Sequence, residues 1–162
     1  MEDPIVGWKA LVDCLNKGGL MKIGLYSDLA RKHIVDLRKE TFRLGIGSSN
    51  DEIKKFREQL IASSNTVTKR LLNSGNFYSM SELKDLLFHV SEHRFTIPKI
   101  KESLSDLGLI FCGFELEGQV RENMRKDKTD IDNYLDLDQW ENFEKSNPDF
   151  FSGMYQFWSQ KI

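Results

Sequence analysis

The chain has 162 residues, 40% of them hydrophobic, which is enough to fill the core of one ordinary domain. Its 23 basic and 25 acidic residues leave a net charge of -2, a balance that creates no field for nucleic acid or an anionic membrane surface, so neither partner is expected. No window approaches the ~18 apolar residues of a membrane span, and "MEDPIVGWKA" has no basic segment followed by an apolar one, so a cytoplasmic protein is expected.

The first predicted element is a helix in "DPIVGWKALVDCLNKGG". Asp3 caps it, Pro4 takes the first helical position, and Ile5, Trp8, Leu11, Val12 and Leu15 share a face. Gly18 and Gly19 stop it. The run "LMKIGLY", Leu20 to Tyr26, is too short for a helix after that stop and reads as a strand covered on both faces. From Asp28 to about Asn73 the spacing turns helical. Leu29, Ile34, Leu37, Phe42 and Leu44 form one apolar set, and Ile53, Phe56, Leu60 and Ile61 form a second.

"SMSELKDLLF" carries Ser79 with Glu82 three residues on, the signature of a capping box, ahead of Leu86, Leu87 and Phe88. "FTIPKIKESLSDLGLIFCGFEL" repeats helix, glycine, strand, with Thr96 as cap, Ile97, Ile100 and Leu104 on one face, and Gly108 as stop. The polar stretch "RENMRKDKTDIDNY" reads as loop or exposed helix. A helix follows in "LDLDQWENFEKSNP", started by Asp136 or Asp138 and ended before Pro148. The aromatic "GMYQFWSQKI" reads as a closing strand whose rings serve the core.

Chemistry-bearing motifs are sparse. Cys14 and Cys112 are far apart and lack Cys-x-x-Cys spacing, so both are expected as buried small hydrophobes rather than disulfide or zinc partners. "HVSEH", from His89 to His93, matches the inverted zinc-peptidase pattern, in which two histidines bind metal beside a catalytic glutamate. It has only three fixed positions and no marked third ligand, so no metal site is assigned. "GIG" at Gly45 to Gly47 follows a helix rather than a strand and lacks a P-loop lysine, so it is a turn. Ser27 and Ser79 lack a Gly-x-Ser-x-Gly setting and are not nucleophiles.

Three segments carry a family resemblance: "MEDPIVGWKALVDCLNKGGLMKIGLYSDLAR", "DLLFHVSEHRFTIPKIKESLSDLGLIFCGFEL" and "DLDQWENFEKSNPDFFSGMYQFWSQK". In this order they resemble the carboxy-terminal portion of a class I S-adenosylmethionine-dependent methyltransferase, of the bacterial branch sometimes fused to tetratricopeptide repeats. The resemblance implies an α/β, partial Rossmann-like fold with a three-stranded sheet in the order five, seven, six. "GLMKIGLYS" would be strand five, "LIFCGFEL" strand six and "MYQFWSQK" the antiparallel strand seven. Residues 1–162 would then be the carboxy-terminal part of the methyltransferase domain, with a helical insertion at about 28–94 that shapes the substrate pocket.

The family holds its cofactor with a glycine-rich turn after the first strand and an acidic residue ending the second, and this sequence contains neither. The implied cofactor of the complete enzyme is therefore S-adenosylmethionine, with no binding residue here and no binding by this chain alone. Residues placed to face a substrate pocket are Tyr26, Ser27 and Arg31 at the end of the first strand, with His89, Glu92 and His93, because ligands sit outside the strand ends of open α/β sheets. Val90 stands where the family often has proline. Expected partners are an amino-terminal methyltransferase half, or a second copy paired through the Leu20 to Tyr26 edge. The competing expectation is a non-enzymatic interaction protein that pairs through that edge.

Overall fold

The computed structural model describes residues 3–63, 72, 77–88, 92–118, 120, 122, 124 and 131–162. In chain order the described elements are helix α1 (Pro4–Asp13), strand β1 (Leu20–Ser27), helices α2 (Lys32–Arg43), α3 (Asn50–Ala62) and α4 (Met80–Phe88), strand β2 (Arg94–Phe95), helix α5 (Ile97–Asp106), strand β3 (Leu109–Phe114), helix α6 (Leu137–Ser146) and strand β4 (Tyr155–Lys161). The class is mixed α/β. Residues 1–31 and 93–162 form one compact unit, and Lys32–Glu92 form another.

The first unit is built on a mixed sheet of order β2-β1-β4-β3. β4 lies between β1 and β3, antiparallel to both, while β2 runs parallel to β1. The expected three-stranded sheet is thus corrected to four strands. β2 escaped notice because two residues carry no periodicity, and it forms only because the chain re-enters beside Tyr26 and Ser27.

Local chemistry sets the helices of this unit. Asp3 accepts a 2.8 Å hydrogen bond from the Ile5 amide and Pro4 opens α1. Lys161 on β4 donates to the Val12 and Leu15 carbonyls at 2.9 and 2.8 Å, so an ammonium answers the open carbonyls at the helix end. Thr96 caps α5 through the Lys99 amide, and Gly108 with φ 65° makes the left-handed turn into β3. Asp136 caps α6 through the Asp138 amide at 2.9 Å.

The sheet has one packed face and one open face. Trp8 and Val12 of α1, Ile97, Ile100 and Leu104 of α5, and Leu137 and Trp140 of α6 share a core with Leu109, Phe111, Phe114, Tyr155 and Phe157. Phe114 anchors it, with ring centroids 5.1 Å from Trp140 and 4.8 Å from Phe151. The opposite face exposes Ile110, Cys112, Gln156 and Trp158. β1 alternates in the same way: Leu20, Lys22 and Gly24 are exposed, and Met21, Ile23 and Leu25 pack against the core. This corrects the expectation of a strand buried on both faces, since α1, α5 and α6 of this unit share a core with one face of the sheet and Leu20, Lys22 and Gly24 are exposed on the other. Both cysteines are free and exposed, not buried. Cys14 is the C-cap of α1, and Cys112 sits on the outward side of β3.

The second unit is helical. Ile34 and Leu37 of α2, Ile53, Phe56 and Leu60 of α3, and Leu83, Leu86 and Leu87 of α4 form its core with Phe77. Ser49 and Glu52 make a reciprocal capping box at the start of α3, and the Ser79 hydroxyl accepts from the Glu82 amide at 3.4 Å ahead of α4. Gly45, with φ 64°, turns the chain after α2, as the "GIG" reading requires. Phe42 is 88% exposed rather than packed. The buried stripe of α2 is Ile34, Leu37 and Thr41, and Phe42 falls one residue past it.

Candidate functional site

The carboxyl end of β1 collects most of the polar chemistry of the first unit. Ser27, the last residue of the strand, is 1% exposed. Its hydroxyl donates to Oε1 of Glu144 at 2.6 Å and accepts from the Ala30 amide at 3.0 Å. Tyr155 donates its hydroxyl to the same Glu144 oxygen at 2.6 Å. One carboxylate on α6 therefore joins the end of β1 to the start of β4, with Glu144 only 4% exposed.

Burial pushes the Tyr155 phenol well above its ordinary range, and its hydrogen bond to Glu144 adds to the rise. Tyr155 therefore stays a neutral donor at physiological pH. The arrangement satisfies both hydroxyls inside the core, where an unpaired polar group is costly.

The turn after Ser27 is closed by backbone commitments. The Asp28 amide donates to Phe95 O at 2.8 Å and the Arg31 amide to Ser27 O at 3.1 Å. The Asp28 carboxylate meets Arg94 Nε at 3.1 Å. Arg31 is buried and lays its guanidinium over the Tyr26 ring, 4.2 Å from the centroid. Tyr26, Ser27 and Arg31 are thus brought together at one strand end. Ser27 is a core positioning group there, not an open hydroxyl.

The remaining candidates are placed otherwise. Glu92 belongs to the second unit, where its carboxylate accepts from Arg38 Nη2 at 2.9 Å while Arg38 Nε donates to Leu86 O at 2.6 Å. His93 is half-buried in the first unit, next in sequence to β2. His89 and Val90 lie outside the described residues, and with His89 goes the first position of "HVSEH". Among the described residues no group of three His, Cys, Asp or Glu side chains converges to hold a metal ion. No helix of the described residues is long and apolar enough to cross a membrane.

Glu144 and Tyr155 were not singled out by sequence reasoning. A signal existed for Glu144: it follows Leu137 and Trp140 at helical spacing, so a charge stands on the buried stripe of α6. Tyr155 read as one more aromatic of a strand.

The amides of Asp28, Ala30 and Arg31 are committed to Phe95 O, Ser27 Oγ and Ser27 O, so none of these three is open to a phosphate or carboxylate. No family model matches the chain.

Proposed function

We propose that these residues form the strand five, seven, six side of a Rossmann-like, class I S-adenosylmethionine-dependent methyltransferase fold, the substrate side of the enzyme rather than its cofactor side. The observation that carries this reading is β4, antiparallel, lying between β1 and β3. A closing strand that inserts between two earlier ones is an uncommon connection, and it is the one the resemblance calls for. The open sheet face accords with a sheet that has a second layer to receive.

Bound S-adenosylmethionine supplies an activated methyl group in such enzymes. No residue here is assigned to it, and no step is derived through it. What this chain contributes is position. Ser27 and Glu144 tie the β1 end to α6, and half-buried Tyr26, with the buried Arg31 guanidinium over its ring, is the side chain there against which an acceptor is oriented. Glu92, held by Arg38, serves the helical unit and is not assigned to the acceptor.

Calorimetry tests this reading. S-adenosylmethionine titrated into the 162-residue chain alone should give no heat of binding. Addition of a glycine-rich strand-turn-helix segment from the same methyltransferase branch should create a site of micromolar affinity. Binding of the segment without any cofactor site would contradict the enzyme reading.

A second reading, a non-enzymatic protein that acts through its sheet edge, is favoured by one specific observation. The two edges of the sheet are built differently. β3 carries a register shift between Phe111 and Gly113, with Gly113 at φ 117°, the kind of bulge that bends an edge away from neighbours. β1 has an unbroken register against β4 from Leu20 to Leu25 and no proline.

A further inference from the structure

We infer that the outer edge of β1 is a pairing site for a second copy of this chain, which docks antiparallel about Ile23. Self-pairing rests on the edge reading alone, because a methyltransferase strand supplied in trans would compete for the same residues.

Backbone direction identifies the available groups. Lys161 N–H donates to Gly19 O on the β4 side, and Asp28 N–H donates to Phe95 O on the β2 side. Backbone groups alternate sides along a strand. The even-numbered residues Leu20, Lys22 and Gly24 therefore turn their N–H and C=O away from β4. Among the described residues, β2 pairs only with Tyr26 and Ser27, and it closes the edge at that end. The stretch from Leu20 to Leu25 has no ladder partner on that side among the described residues.

Side chains favour a copy of the same strand. Met21, Ile23 and Leu25 face the core yet are only half-buried, whereas Tyr155, Phe157 and Ser159 beside them on β4 are buried. A two-fold pairing centred on Ile23 sets Ile23 against Ile23 of the second copy and Met21 against Leu25 of the second copy, which covers the half-buried row from both sides. Lys22 then exchanges backbone bonds with Gly24 of the second copy, so no like charges stand opposite. Centring on Lys22 instead would put two ammonium groups face to face. Lysine commonly protects an edge, but the Lys22 ammonium is drawn toward β3, 2.8 Å from Glu115. Tyr26 of each copy is held by its own β2, which ends the pairing and keeps it short.

Disulfide trapping reads the register directly. In a chain with Cys14→Ser and Cys112→Ser, Ile23→Cys would face its own copy across a non-hydrogen-bonded pair with Cα atoms about 4.5 Å apart, within disulfide reach. Oxidised glutathione should convert most of the Ile23→Cys chain to a covalent dimer. Lys22→Cys should cross-link at least 10-fold more slowly, and Met21→Cys should cross-link efficiently only when mixed with Leu25→Cys. Circular dichroism of each variant establishes that it is folded. Sedimentation of the unmodified chain should show a dimer that grows with concentration. A folded Ile23→Cys chain that stays monomeric, or a Lys22→Cys chain that cross-links as fast, would overturn the proposal. A monomer at every concentration would overturn it too and leave the edge to a strand of another chain. None of these readouts involves S-adenosylmethionine, so failure here and failure of the calorimetric test are distinguishable.

Discussion

In the unit of residues 1–31 and 93–162 described side-chain hydrogen bonds join residues more than a hundred positions apart, whereas in Lys32–Glu92 most of the described side-chain hydrogen bonds are a turn long. Ser27 meets Glu144 across 117 positions, and Lys161 meets Val12 across 149. In the helical unit Ser49 meets Glu52, Thr41 Oγ1 meets Leu37 O, and Ser79 meets the Glu82 amide. Among the described residues its long-range polar ties are those of Arg38, bonded to Leu86 O and Glu92, and of Arg57, whose Nη1 donates to Tyr78 O at 3.4 Å. One unit stores its specification in partners the chain must find. The other stores it in local choices, which cost little loop entropy to realise.

The largest effect should come from the polar node of the first unit. Glu144→Ala removes the acceptor of both the Ser27 and Tyr155 hydroxyl protons inside the core, a loss of roughly 3 kcal/mol. Amide exchange should quicken across β1 and β4 together. A loss confined to α6 would break the contrast between the units.

In the second unit Arg38→Ala should cost about 2 kcal/mol, because it removes a cation from the nearly buried Glu92 carboxylate and a donor from Leu86 O. Chemical denaturation measures it. A cost equal to that of Glu144→Ala would mean that long-range polar ties govern both units alike.

Tyr155→Phe sharpens the comparison through pH. Up to about pH 10 the phenol keeps its proton in both folded and unfolded chains, so it adds no pH dependence. Above that, the unfolded chain releases the proton while buried Tyr155 retains it, so stability falls as pH rises toward the raised folded value. The unmodified chain should lose on the order of 1 kcal/mol per pH unit more than Tyr155→Phe over that range. Parallel slopes would mean that Tyr155 is not held neutral by its surroundings.

Ser49→Ala should cost about 1 kcal/mol or less and loosen only the start of α3. Lys101→Ala, which removes an exposed bond to Asp138, should leave the denaturation midpoint unchanged.

The same contrast explains what was legible. Helices written with a cap and a stop, such as Thr96 to Gly108, could be placed from sequence because each signal acts within a turn. The two-residue β2 could not, since it exists only by virtue of its neighbour β1. Phe42 was misplaced because Phe is the larger apolar residue, but the geometry of α2 buries Thr41, whose hydroxyl is satisfied by Leu37 O. Cys112 was misplaced because its burial depends on which sheet face is covered, a tertiary fact. Tyr26, Ser27 and Arg31 were legible as neighbours at the end of the first strand, which is where the structure has them. The partner that explains Ser27, Glu144, sits on another helix and announced itself only as a charge on an apolar stripe.

The most direct test of an open β1 edge is amide hydrogen exchange along β1, read residue by residue by NMR. In dilute solution Lys22 and Gly24 should exchange quickly while Met21, Ile23 and Leu25 stay protected by β4. At high concentration, or with a docking strand added, Lys22 and Gly24 should slow by at least 10-fold. Equal, concentration-independent protection of all five amides would contradict the account, because the edge would already be closed within one chain.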